Sequence, residues 1–123
     1  MWQRATKINY KKEVLKMMKL IDLDNGRKQV FCNNVLMQFE RRGNDIYGNP
    51  LHRVYPINFS FKRLKSVYRN YEKGAWEESY YLIQSYNILA DIQNIANEVN
   101  AKNTFPEFDQ SLLKDYREVS AYV

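Results

Sequence analysis

Residues 28–42, KQVFCNNVLMQFERR, alternate along much of their length. Val35, Met37, Phe39 and Arg41 fall on one side, and Leu36, Gln38, Glu40 and Arg42 on the other. A pleated strand sends successive side chains to opposite faces, so this period of two predicts a strand. The next stretch, GNDIYGNP (43–50), is dense in turn formers. After it LHRVYPINF (51–59) resumes an extended pattern. Pro56 lacks the N–H that a ladder needs, which places this strand at a sheet edge or breaks it there. Together these segments predict an antiparallel hairpin, about 28–42 and 51–59, with Gly43–Pro50 as its projecting tip.

Elsewhere the spacing is helical. In YKKEVLKMMKLID (10–22), Val14, Met17, Met18 and Ile21 share one face and Lys11, Lys12, Lys16 and Lys19 occupy others, which predicts an N-terminal helix capped by Asn9. The DNG that follows is a helix stop or a hairpin turn, so 17–23 pairing with 28–33 as strands stays open as the alternative. Ser60 is placed to cap a helix that begins at Phe61 and ends near Gly74, with Phe61, Leu64, Tyr68 and Tyr71 on its apolar face. A longer helix is predicted over Ala75–Ala101. Its stripe is Leu82, Tyr86, Leu89, Ile92, Ala96 and Val99, and Glu77 and Glu78 suit the positive end of its dipole. NTFPEF (103–108) breaks the pattern, and Asp109 opens a short last helix with Leu112, Leu113 and Tyr116 inward. The expected fold is α+β: a small antiparallel sheet packed by an N-terminal helix and two to three C-terminal helices, in one domain over 1–123. The wide apolar face of 82–99 also leaves room for a second copy, so a homodimer through this helix is a further expectation.

Charge sharpens the picture more than composition does. The 123-residue chain is 45% hydrophobic and 15% aromatic, as a folded domain requires, and carries a net charge of +5. That charge is unevenly spread. Residues 1–74 hold 16 Lys/Arg against 6 Asp/Glu, a net of +10, whereas 75–123 hold 3 against 8, a net of −5. Such polarity points to an acidic partner for the first part, or to attraction between the two parts within the fold. No apolar run is long enough for a membrane span, and the N-terminus lacks the apolar core of a secretory signal. One cysteine, Cys32, excludes an internal disulfide and suits the cytoplasm. Abundant Asn, Lys, Ile and Tyr fit the AT-rich codons of a low-GC bacterium, or of its phages and plasmids.

Catalytic chemistry finds little support. Cys32 and the single histidine, His52, would have to meet in space to act as a nucleophile pair, and neither lies in a recognisable motif. Two such ligands are too few for a structural zinc site, and four scattered glycines form no phosphate-binding loop. Asp22 and Asp24 read as turn chemistry. No cofactor or metal is expected.

A binding surface is the better candidate. Lys62, Lys65, Arg69 and Lys73 recur on one flank of the predicted helix, a row about 16 Å long at a rise of ~1.5 Å per residue. Arg63 flanks that row. The hairpin leading into it adds Arg41, Arg42 and Arg53, and Tyr47 at the tip is placed to stack on an unpaired base. The plain alternative is a solvated helix face and an ordinary turn. The expected function is a small non-enzymatic nucleic-acid-binding accessory protein. The alternative is a protein-interaction module that inhibits a larger nucleic-acid-processing or defence enzyme, as anti-defence proteins of mobile elements do. Tyr and Arg dominate hot spots of both kinds.

Overall fold

The computed structural model describes residues 18–68, 74–76 and 80–121. Seven strands form one antiparallel sheet: β1 Met18–Asp22, β2 Lys28–Cys32, β3 Val35–Asn44, β4 Pro50–Pro56, β5 Gly74–Trp76, β6 Tyr81–Gln84 and β7 Arg117–Val119. Their spatial order is β5-β6-β4-β3-β2-β1-β7. The described residues also form two helices, α1 Phe61–Tyr68 and α2 Ile88–Lys102, and short 3-10 turns at Asp24–Gly26, between β1 and β2, and at Gln110–Leu113, between α2 and β7.

The register separates two faces. Leu20, Val30 and Met37 lie side by side across three strands, as do Phe39, Val54 and Tyr81 across the next three. All six are buried, and they pack with Leu64 of α1 and with Ile92, Ile95, Ala96 and Val99 of α2. Helix α2 runs the length of this face. Asn87 caps its start by accepting from the Ala90 N–H at 3.2 Å. At its far end Asn100 donates to the Asn33 carbonyl at 2.8 Å, in the turn between β2 and β3. On the opposite face, at one end, Leu113 is buried against Phe31 and Leu36, with Phe108 and Tyr116 alongside.

This architecture corrects the expected small sheet packed by an N-terminal helix and two to three C-terminal helices. Residues 18–22 of the predicted N-terminal helix are a strand, and β1 pairs with β2, which is the alternative left open above. The cause is a competition between periods: Met18 and Leu20 point inward with Lys19 between them, and pairing with Val30 outweighs a helical face. Residues 10–17 lie outside the described residues.

The predicted strand 28–42 is two strands. Asn33 and Asn34 both adopt positive φ, 54° and 66°, and close a two-residue turn between Cys32 and Val35. Two successive left-handed residues match the right-handed twist of the flanking strands, and Asn tolerates that region better than most residues. β3 and β4 do pair as a hairpin, with its tip between Asn44 and Pro50, but over 35–44 and 50–56 in place of the expected 28–42 and 51–59. β4 ends at Pro56 although it lies between β3 and β6, so the proline stops a central strand.

The predicted helix 75–101 is overturned over its first half. Residues 74–76 and 81–84 are strands, and the helix begins only at Ile88. Tyr81 and Ile83 are fully buried while Leu82 and Gln84 alternate outward, so a period of two prevails where helical spacing was also satisfied. The last predicted helix is a single 3-10 turn followed by edge strand β7. The stripe residues Ile92, Ala96 and Val99 are covered by this chain's own sheet and α1.

Candidate binding surfaces

The tip of the β3–β4 hairpin is an ordered turn built around Asp45. Its carboxylate accepts from the Tyr47 and Asn49 N–H groups, each at 2.9 Å, and from the Asn49 side chain at 3.1 Å. The Asn49 backbone amide, above all, holds the Asp45 carboxyl below the usual carboxylate range. Gly43 and Gly48 supply positive φ on either side, 66° and 85°. This scaffold leaves Ile46 90% and Tyr47 82% exposed. Arg41 does not reach outward from it. Its guanidinium donates to the carbonyls of Gly43 and Leu51 and to the Asn44 side chain, which fixes the base of the loop. Arg42 is exposed.

Arg53 occupies the sheet face opposite the helices. It pairs with Glu40 at 3.6 Å and lies over the Tyr80 ring at 4.7 Å. Tyr80 in turn packs against Tyr55 at 5.4 Å, and the Tyr55 hydroxyl donates to Glu40 at 3.2 Å. Arg27 also reaches Glu40, at 3.6 Å. Arg53 thus belongs to a closed polar and aromatic ladder.

Helix α1 carries three more of the cations expected at the binding surface. The Ser60 hydroxyl accepts from the Arg63 N–H at 3.1 Å, the cap expected from sequence. Leu64 is fully buried, and Lys62, Arg63 and Lys65 are exposed around it, with Arg63 above the Phe105 ring at 5.9 Å. The structure therefore puts Lys62, Arg63 and Lys65 on the helical layer and Arg53 on the other face of the sheet. Arg69 and Lys73 lie outside the described residues, as do Glu77, Glu78, Tyr71 and the Tyr68 side chain.

Ion pairing answers the question raised by the charge imbalance. Asp22 holds Lys28 and Arg117, Glu40 holds Arg27 and Arg53, and Glu98 holds Lys102. Among the described residues no carboxylate from 75–123 pairs with a cation from 1–74, and Arg42, Lys62, Arg63 and Lys65 have no ion-pair partner. The ion pair that joins the two parts, Asp22 with Arg117, runs in the opposite sense, an acid of the first part with a cation of the second, so it leaves the basic excess of the first part in place.

One further site escaped the sequence reading. A cavity of about 470 Å³ at the start of α2 is lined by Gln84, Tyr86, Asn87, Ala90, Asp91 and Asn94. Its floor is ordered from beneath, since the buried Ser85 hydroxyl donates to the Asp91 carboxylate. Asn87 is spent on the Ala90 N–H and the Ala121 carbonyl. The Tyr86 hydroxyl donates to the Asn49 side chain, tying this cavity to the hairpin, yet the residue is 77% exposed. The local signal was SYN (85–87), a cluster of Ser and Asn inside an apparent helical stripe.

His52 sits beneath this end of the sheet, opposite Arg41 on β3 and edge-on to Phe39 at 6.3 Å. Its Nδ1 is buried and has no partner among the described residues. Burial, and then the nearby Arg41 charge, push its pKa down, against the pull of Asp91. Cys32 is buried beside Val35, six residues along β3 from Arg41, so it and His52 stand about 20 Å apart at ~3.4 Å per residue. Among the described residues no three His, Cys, Asp or Glu side chains cluster to hold a metal ion, and no helix is long and apolar enough to cross a membrane.

No protein-family model, curated protein or solved structure matches the chain.

Proposed function

We propose that this protein is a small non-enzymatic nucleic-acid-binding module of the cytoplasm, contacting phosphates through α1. The observation that carries the reading is the set Lys62, Arg63 and Lys65, exposed on a capped helix and left unpaired by every described carboxylate. Unpaired cations gathered on one helix are the footprint of polyanion binding, because each neutralised phosphate releases counterions. Arg53 and Arg41 are not part of this surface, since both are committed within the fold. Reversing the charge with Lys62→Glu and Lys65→Glu should weaken binding to single-stranded DNA, duplex DNA and RNA together in a low-salt electrophoretic assay. Affinity unchanged by both substitutions would remove the reading.

The hairpin tip favours a second reading. Ile46 and Tyr47, held out by the Asp45 turn, have the apolar and aromatic character of a protein hot spot. An inhibitor of a nucleic-acid-processing enzyme would use them, and it would lose its complex with that enzyme on Ile46→Ala and Tyr47→Ala while charge reversal on α1 had no effect.

A further inference from the structure

We infer that the cavity at the start of α2 is a pocket for one unpaired nucleobase, which would make single strands the preferred ligand. This rests on the nucleic-acid reading above and adds its strand class and a second contact site. The cavity volume, about 470 Å³, falls within the range of small-ligand sites. Its wall combines two kinds of group that a base requires. Tyr86 offers an aromatic ring that is 77% exposed although its hydroxyl is already anchored on Asn49. Every base has a face that stacks on such a ring. Asn94, exposed on α2, lines the same cavity. Its side-chain amide presents a donor pair and an acceptor, the complement of a Watson–Crick edge that is free only when the strand is unpaired.

The surroundings suit a continuing chain. The Tyr86–Asn49 bond places the hairpin beside the pocket, so Tyr47 is available to a neighbouring base and Arg42 to a phosphate. A duplex buries its base edges and could not fill the pocket without unpairing. The pocket residues also differ from the α1 cations, so the two contributions separate by mutation.

The test measures fluorescence anisotropy of three labelled probes of one mixed sequence, about 12 nucleotides long: single-stranded DNA, single-stranded RNA and duplex DNA. The wild type should bind both single strands more tightly than the duplex at a salt concentration of about 0.2 M. Tyr86→Ala combined with Asn94→Ala should weaken single-strand binding about tenfold or more and leave the duplex unaffected. Tyr86→Phe keeps the ring and loses only the Asn49 bond, so it should bind as the wild type does. If Tyr86→Phe is as weak as the double variant, the tyrosine acts by holding the hairpin and the inference fails. Equal binding of strands and duplex, weakened by Lys62→Glu and Lys65→Glu but not by the pocket variants, overturns the inference and keeps the reading. No binding to any probe overturns both.

Discussion

Ile95→Ala tests whether α2 is held by this chain's own sheet. Ile95 is fully buried in the core that joins α2 to β1, β2, β3, β4 and β6. The substitution removes three carbons, about 2.4 kcal/mol of transfer free energy at ~0.8 kcal/mol each. Neighbours on the sheet and in α1 cannot collapse fully into the space, so a cavity term brings the expected loss to about 3–4 kcal/mol. With an unfolding entropy near 2.1 cal/mol/K per residue, a loss of about 3 kcal/mol corresponds to a fall in Tm of roughly 12 °C for this chain length. Urea unfolding followed by circular dichroism and by tryptophan fluorescence measures it. Glu98→Ala, on the exposed side of α2, loses only a surface pair with Lys102 and should stay within about 0.5 kcal/mol of wild type. A loss below about 1 kcal/mol for Ile95→Ala would refute the packing argument. So would an unfolding midpoint that rises with protein concentration, because that would mean a second copy covers the stripe.

Three other outcomes follow from the same geometry. His52 is kept neutral by burial, so the unfolded chain takes up a proton that the folded chain resists; stability should fall as pH drops below about 6.5, level off below the depressed folded value, and lose this dependence in His52→Gln. Asn34→Gly should fold as well as wild type, whereas Asn34→Val, forced to φ near 66°, should lose about 1–2 kcal/mol in urea unfolding. Asp45→Ala removes the acceptor that organises the hairpin tip, so amide exchange at Tyr47 and Asn49 should accelerate with no change elsewhere in the sheet.

The sequence disclosed some of this fold and concealed the rest for identifiable reasons. The hairpin tip was legible because GNDIYGNP concentrates residues with special backbone preferences, and the Ser60 cap because a hydroxyl precedes an amphipathic run. Strands β1 and β6 were misread because short apolar runs satisfy both periods. Met18 and Ile21 are three apart but Met18 and Leu20 are two apart, and only pairing with Val30 decides between them. Tyr81 and Ile83 pose the same ambiguity. The Asn33–Asn34 turn lacked the glycine that usually marks such a hairpin. Of the candidate site, Lys62, Arg63 and Lys65 were foreseeable as an exposed flank. The commitment of Arg53 to Glu40 and Tyr80 was not, since it depends on cross-strand register. The cavity at Tyr86 was hidden by the helix mistakenly drawn through it.

The most direct test of the central claim, that unpaired cations on α1 contact phosphates, is the salt dependence of single-strand binding for the wild type and for the Lys62→Ala, Lys65→Ala double variant. Two lost phosphate contacts should flatten the slope of log K against log salt by about 1.4, at ~0.7 per contact. Parallel slopes for the two proteins would contradict it.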